Sequence, residues 1–198
     1  MNLPNALTLS RIFLVPVLVA ILLTKYDVLL AAAIFLTASM TDFLDGYFAR
    51  KRGQVTTLGT LLDPVADKML TSAAFISLVQ LQLVPAWMVV IIVGREFAVT
   101  GLRSIASTQG FTIDASELGK LKMAGQVVAI TLLILSSEND LFWTAGHVVL
   151  WMVVLFAILS AIDYFRKFWG KIDNRFKERE RRRMILLKKR QRRDVPTQ

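Results

Sequence analysis

Four aspartates in two close pairs are the residues of this sequence whose type and spacing could support chemistry. Asp42 and Asp45 are three residues apart, and Asp63 and Asp67 are four residues apart. On helices each pair would share one face. Four carboxylates gathered in a low-dielectric setting repel one another unless cations neutralise them. Divalent ions such as Mg²⁺, Mn²⁺ or Ca²⁺ bind carboxylate oxygens, and two such ions suit phosphoryl transfer.

Small residues and one arginine accompany the aspartates. Gly46 and Gly59 lack a Cβ, which would let a bulky ligand approach the backbone closely. Ala49 continues the small face, and Arg50 offers a guanidinium fork to phosphate oxygens. The glycines could equally serve helix packing, since small residues are common where membrane helices meet. Both interpretations of the glycines stay open.

The composition indicates that membrane helices carry these residues. The chain has 198 residues, is 55% hydrophobic and only 20% charged, and contains no cysteine. The absence of cysteine excludes disulfides, thiolate metal sites and Cys nucleophiles. A helix needs about 20 residues to cross a bilayer, yet uncharged runs such as Val28–Thr41 are shorter. Charged residues must therefore enter the membrane zone, where they usually line a site.

We predict an all-α, polytopic membrane protein with six transmembrane helices, at residues 5–24, 28–49, 59–82, 85–108, 118–137 and 143–166. Basic residues recur after the second, fourth and sixth spans, so the positive-inside rule makes both termini cytoplasmic. The same orientation brings the four aspartates to the cytoplasmic side of the bundle. The active site is expected there.

The end of the chain differs in charge from the rest. Residues 166–198 contain fourteen Lys/Arg and four Asp/Glu, whereas residues 1–165 are nearly neutral. We therefore divide the chain into a membrane domain, 1–168, and a basic cytoplasmic tail, 169–198. The tail is interpreted either as a helix on the anionic membrane surface or as a disordered extension. It has no recognisable nucleic-acid-binding module, so no nucleic-acid partner is expected.

Residues 42–67 match the pattern Asp-x2-Asp-Gly-x2-Ala-Arg-x8-Gly-x3-Asp-x3-Asp at every defined position. This segment resembles the signature of the CDP-alcohol phosphatidyltransferases. The resemblance implies a six-helix membrane enzyme, usually a homodimer, that displaces CMP from a CDP-linked substrate with the help of two divalent metal ions, Mg²⁺ or Mn²⁺. It implies metal binding by Asp42, Asp45, Asp63 and Asp67, with Asp67 also the proposed general base. The implied CDP-binding residues are Gly46, Ala49, Arg50, Gly59, Asn5 and Thr8.

Further segments resemble the phosphatidylglycerophosphate synthase branch of that family. They include the opening Leu3-Pro4-Asn5-x2-Thr8-Leu9-x-Arg11, then Arg95-Glu96-x5-Leu102-Arg103 and Leu118-Gly119-Lys120-x-Lys122. The resemblance implies CDP-diacylglycerol as donor, sn-glycerol 3-phosphate as acceptor, and a place in the bacterial cytoplasmic membrane. A small dianionic acceptor needs fixed positive charge, and Arg95 and Arg103 would lie about 80° apart on one helix. The predicted acceptor-binding residues are Arg95, Arg103, Lys120, Lys122 and Arg11.

Two alternatives to this function stay open. A synthase of the same family could use another acceptor, such as inositol phosphate, serine or phosphatidylglycerol. From a different class, intramembrane aspartates could serve a cation transporter. A transporter predicts acidic residues near the bilayer midplane with access from both sides, whereas here the charges crowd at one side.

Overall fold

The computed structural model of the protein is helical throughout its described residues. It describes the backbone of residues 3–52, 57–110, 117–137 and 139–193, and the side chains of residues 9–41, 65–110, 122–137 and 139–173. Six helices occupy these ranges: α1 Leu3–Thr24, α2 Val28–Arg52, α3 Thr57–Gln80, α4 Ala86–Thr108, α5 Glu117–Leu135 and α6 Asp140–Arg193. The prediction of six helices and no strands agrees with the described part of the chain.

Two short turns at one end of the bundle connect α1 to α2 and α3 to α4. Lys25 and Gln82 adopt positive φ angles of 52° and 61°, which end the preceding helices. The Asp27 carboxylate then accepts a hydrogen bond of 3.0 Å from the Leu30 N–H and caps the start of α2. Pro85 precedes α4, where its missing N–H removes no helical hydrogen bond. These tight turns make consecutive helices antiparallel.

The core is a layer of aliphatic and aromatic side chains shared by all six helices. Helix α1 packs against α2 and α3, while α6 packs along α5 and also contacts α4. The largest buried apolar side chains are Leu18, Phe35, Leu70, Phe75, Leu78, Met88, Ile92, Ile130, Leu133 and Leu150. The packing is therefore not simply sequential, because α6 brings α4 and α5 together.

The outer surface of the bundle is strongly apolar. Every helix exposes large hydrophobic side chains, with exposed fractions of 47% to 72% at Phe13, Leu29, Ile76, Val90, Val128 and Trp151. Apolar surface on this scale is typical of proteins that contact lipid or a partner. Within the described residues, 140–173 form one helix long and apolar enough to cross a membrane. Shorter apolar stretches are Leu9–Thr24, Val28–Thr41 and Lys122–Leu135. The structure thus suggests membrane association; six spans and cytoplasmic termini stay predictions.

Helix α6 is much longer than the predicted sixth span. It runs for 54 residues, from Asp140 to Arg193, or about 81 Å at 1.5 Å per residue. The predicted end at residue 166 followed the loss of hydrophobicity, but helix formation does not stop there. Lys, Arg and Glu are good helix formers, and Glu178 is spaced to pair with Arg182. The basic tail is helical as far as Arg193, and the division at residue 168 stays a prediction.

Candidate functional site

The backbone places the two aspartate pairs on helices that contact each other. Asp42 and Asp45 lie in the second half of α2, and Asp63 and Asp67 lie in the first half of α3. Because both helices are continuous there, each pair shares a helix face. Asp67 is partly buried. The side chains of the other predicted metal and CDP ligands lie outside the described residues: Asp42, Asp45, Asp63, Gly46, Ala49, Arg50, Gly59, Asn5 and Thr8.

Four cationic side chains from three helices come together near Asp67. We call this group the cationic cluster: Lys68 on α3, Arg95 and Arg103 on α4, and Lys122 on α5. Lys68 interacts electrostatically with Arg95, Arg103 and Asp67, and Lys122 interacts with Arg95, Lys68 and Asp67. The structure therefore joins Arg95, Arg103 and Lys122, three of the predicted acceptor-binding residues, beside the predicted general base.

Glu96 connects α4 to α5 within the cationic cluster. Its carboxylate forms an ion pair with the Lys122 ammonium and lies 3.5 Å from Arg95 Nη1. Gln126 Nε2, one turn after Lys122 on α5, is 3.5 Å from the same carboxylate. The Lys122 side chain is only 1% exposed, whereas Glu96 is 20% exposed. The partly exposed Glu96 carboxylate thus forms the ion pair that compensates a deeply buried ammonium.

Two buried donors in the cationic cluster have hydrogen-bonding capacity left over. Arg95 Nε has no hydrogen-bond acceptor among the described residues, and Lys122 Nζ has none besides its ion pair with Glu96. Buried donors are normally satisfied, so such a pair marks a place suited to an incoming acceptor. Among the residues whose side chains the structure describes, four cations face two carboxylates, Glu96 and Asp67, which leaves two positive charges in excess. That excess matches a phosphate dianion.

Helix α6 closes the cationic cluster with two polar side chains. Arg95 Nη2 donates to Ser160 Oγ, and Arg103 Nη2 donates to Tyr164 Oη at 2.9 Å. The guanidinium carbons of Arg95 and Arg103 lie 5.9 Å and 5.8 Å from the centre of the Tyr164 ring. Arg95 and Arg103 therefore share one face of α4, as their spacing predicted.

Arg11 and Lys120 are the remaining predicted acceptor-binding residues. Arg11 is 2% exposed on α1, and its Nε donates to the carbonyl of Ala38 at 3.3 Å. Ala38 lies on α2, one turn before Asp42 in the sequence. Lys120 belongs to α5, and its side chain lies outside the described residues. The structure thus connects Arg11 with α2.

Sequence reasoning did not assign roles to Lys68, Ser160, Tyr164 or Gln126. A signal for them existed, since each is a polar residue within a predicted apolar span, where polar groups usually have a partner. Their partners could not be identified from the sequence, because the partners are distant along the chain. Lys68 donates a hydrogen bond to Thr100 on α4, and Tyr164 accepts one from Arg103, 61 positions away. Only the packing of α4 between α3 and α6 reveals these contacts.

Comparison with known proteins identifies the family. The family model described as CDP-alcohol phosphatidyltransferase matches residues 1–159. A Bacillus subtilis (strain 168) protein named CDP-diacylglycerol–glycerol-3-phosphate 3-phosphatidyltransferase is 42% identical over 184 residues, covering 85% of this chain and 95% of that protein. A Rickettsia typhi protein of the same name is 36% identical, covering 83% and 96%. The chain belongs to the CDP-alcohol phosphatidyltransferase family.

Proposed function

We propose that this protein transfers the phosphatidyl group of CDP-diacylglycerol to sn-glycerol 3-phosphate, forming phosphatidylglycerophosphate and CMP. The observation that carries the proposal is the cationic cluster beside Asp67, in a chain 42% identical to a protein named for this reaction. The cluster provides positive charge for a phosphorylated acceptor next to a carboxylate able to accept its proton.

The phosphate of the acceptor would bind within the cationic cluster. Arg95 and Arg103 present guanidinium groups that suit two-point contact with phosphate oxygens, and Lys122 adds a compact charge. Arg95 Nε, which has no hydrogen-bond acceptor among the described residues, supports this placement. We expect Lys120 and Arg11 to contribute further positive charge. An acceptor without phosphate, such as serine, would bring no net negative charge to the buried ammonium of Lys122.

Asp42, Asp45, Asp63 and Asp67 would hold two divalent ions, Mg²⁺ or Mn²⁺. Their carboxylates are the ligands such ions prefer, and the continuous α2 and α3 backbones place each pair on one helix face, which fits this role. Bound there, the ions would neutralise the pyrophosphate of the donor and stabilise departing CMP. Gly46, Ala49, Arg50 and Gly59, with Asn5 and Thr8, would hold the CDP group.

Asp67 would act as the general base. Its carboxylate accepts the proton of the primary hydroxyl of glycerol 3-phosphate as that oxygen attacks the phosphorus attached to diacylglycerol. The bond from that phosphorus to the CMP oxygen breaks, and CMP leaves with the electron pair. Asp67 suits this task because it interacts with two members of the cationic cluster, Lys68 and Lys122. Positioning and charge neutralisation supply most of the acceleration.

We also propose that the protein works within a membrane. An exterior of exposed apolar side chains would keep the diacyl chains of the donor in lipid while CDP and glycerol 3-phosphate enter from the cytoplasm. Six spans with cytoplasmic termini in the bacterial cytoplasmic membrane, and a homodimeric assembly, complete this description. The cationic cluster suits any phosphorylated acceptor, so an inositol phosphate acceptor is the second candidate.

The test is an acceptor panel with purified protein, CDP-diacylglycerol and Mg²⁺ or Mn²⁺. CMP release is measured with glycerol 3-phosphate, inositol phosphate, serine or no acceptor. We expect kcat/KM to be highest for glycerol 3-phosphate and serine to give background release. Higher kcat/KM with inositol phosphate would select the second candidate. Ion flux in proteoliposomes without CMP release would show that the protein is a cation transporter and not an enzyme.

A further inference from the structure

Two buried residues of α6 each hold one arginine of the cationic cluster. Ser160 and Tyr164 are four residues apart, so they lie one turn apart on the same face of α6. Ser160 is completely buried and Tyr164 is 2% exposed. Ser160 Oγ accepts a hydrogen bond from Arg95 Nη2, and Tyr164 Oη accepts one from Arg103 Nη2. We call Ser160 and Tyr164 the α6 pair.

The Tyr164 ring contacts both arginines at nearly equal distances. The guanidinium carbons of Arg95 and Arg103 lie 5.9 Å and 5.8 Å from the ring centre, within the range of cation–π attraction. Two guanidinium groups that share one ring also repel each other, and Lys68 adds a third positive charge nearby. The tyrosine therefore stabilises an arrangement of like charges that would otherwise spread apart.

Such support matters because arginine side chains are long and flexible. Fixing one costs up to about 2 kcal/mol of side-chain entropy, which reduces affinity when the ligand itself must order the side chain. Contacts that fix the guanidinium groups in advance remove that loss. A hydroxyl acceptor serves well here, since it orders the arginine without the negative charge that would compete with phosphate. The α6 pair has these properties, whereas Glu96 does not.

We infer that Tyr164, together with Ser160, is a positioning residue for acceptor binding. It acts through Arg103 and Arg95, whose guanidinium groups it holds ready for the acceptor phosphate, and it touches neither the donor nor the reacting atoms. The inference rests on the proposed function, in which these arginines bind the phosphate of sn-glycerol 3-phosphate.

The experiment is a double-mutant cycle on acceptor binding. Tyr164→Phe keeps the buried ring and removes the hydroxyl that accepts from Arg103. We expect KM for glycerol 3-phosphate to rise about tenfold, equivalent to about 1.4 kcal/mol. KM for CDP-diacylglycerol and kcat should change less than about twofold, the ordinary scatter between independent sites. In an Arg103→Ala background, Tyr164→Phe should change the acceptor KM less than about twofold.

The matched control is Asp163→Asn, on the same helix. Asp163 forms an exposed ion pair with Lys167 at 2.7 Å, outside the cationic cluster. Loss of this ion pair should leave the KM values for glycerol 3-phosphate and CDP-diacylglycerol unchanged. Ser160→Ala, which removes the acceptor for Arg95, should raise the acceptor KM in the same way. It provides the test if Tyr164→Phe reduces the yield of folded protein.

Three results would overturn the positioning role. These are an unchanged acceptor KM in both Tyr164→Phe and Ser160→Ala, the same factor of change with and without Arg103, or equal losses for acceptor and donor. Wild-type protein that releases no CMP in the presence of glycerol 3-phosphate would contradict the proposed function itself. That outcome is distinguishable from a failure of the positioning role, because it is measured on the wild-type protein alone.

Discussion

Replacing Lys122 by methionine separates its expected role in acceptor binding from its role in folding. Lys122 is 1% exposed and pairs with Glu96, which is itself 20% exposed and also lies 3.5 Å from Arg95. Methionine fills a similar volume without charge. Glu96 would retain Arg95 and Gln126 as neighbours, so no deeply buried charge is left without a partner. We therefore expect the variant to fold and to bind the acceptor poorly.

The expected size of the binding defect follows from the donor that is lost. A hydrogen bond to a charged group contributes about 1.5–3 kcal/mol, so KM for glycerol 3-phosphate should rise by about ten- to 150-fold. KM for CDP-diacylglycerol should stay within about twofold, because the donor is assigned to a different set of residues. The assay is CMP release in detergent micelles at varied acceptor concentration, with thermal unfolding of the same samples as the measure of folding.

Lys167→Met is the matched control for Lys122→Met. Lys167 also pairs with a carboxylate, Asp163 at 2.7 Å, but it is 50% exposed and lies outside the cationic cluster. An exposed pair of this kind contributes at most about 1 kcal/mol, and its loss should leave the acceptor KM unchanged. If Lys122→Met folds like the wild type and keeps its acceptor KM within about twofold, the assignment of phosphate binding to the cationic cluster is refuted.

Three further predictions concern the base, the metals and the packing of the bundle. Asp67→Asn should lower the rate of CMP release at least about a hundredfold without changing elution from a sizing column, since a positioned base contributes 10²–10⁴-fold; near-normal activity would exclude this role. Chelation of divalent ions should abolish CMP release by the wild type, and added Mg²⁺ or Mn²⁺ should restore it. The same ions should not activate Asp45→Ala. CMP release that needs no metal ion would contradict the two-metal site. Gly146→Ala should lower the free energy of unfolding by about 1–3 kcal/mol, because a Cβ at this position would lie 2.9 Å from Leu133 Cγ. Gly94→Ala is the control, since a Cβ there would have no atom within 4 Å. Equal melting temperatures for the two variants would contradict this packing.

The sequence predicted the helices well because hydrophobicity and turn residues mark them. Five of the six helices begin and end within a few residues of the predicted bounds, for example α4 at Ala86–Thr108 against 85–108. The exception is the end of α6. A span predicted from hydrophobicity stops where charge begins, but a helix of Lys, Arg and Glu continues in water by propensity and charge pairing.

The candidate site was predictable only in part. The spacing of the aspartates and of Arg95 and Arg103 could be assigned to helix faces, because periodicity determines which residues share a face. The partners of those arginines could not. Tyr164 lies 61 positions from Arg103, and its contact depends on α6 packing against α4, which no local pattern encodes.

The same limit applies to Glu96 and Lys122. Lys120 and Lys122 were both predicted to bind the acceptor, although residues two apart on a helix face different directions. The structure places Lys122 against Glu96 in the cationic cluster. The position of Lys122 depends on how α5 is rotated about its axis, which is determined by its packing along α6.

The most direct test of the proposed reaction measures whether glycerol 3-phosphate is incorporated into lipid. Purified protein is incubated with CDP-diacylglycerol, Mg²⁺ or Mn²⁺ and radiolabelled sn-glycerol 3-phosphate, and the lipid extract and CMP are quantified together. We expect labelled phosphatidylglycerophosphate in equal amount to CMP, and neither product with Asp45→Ala. CMP release without labelled lipid, or labelled lipid at the wild-type rate from Asp45→Ala, would contradict it.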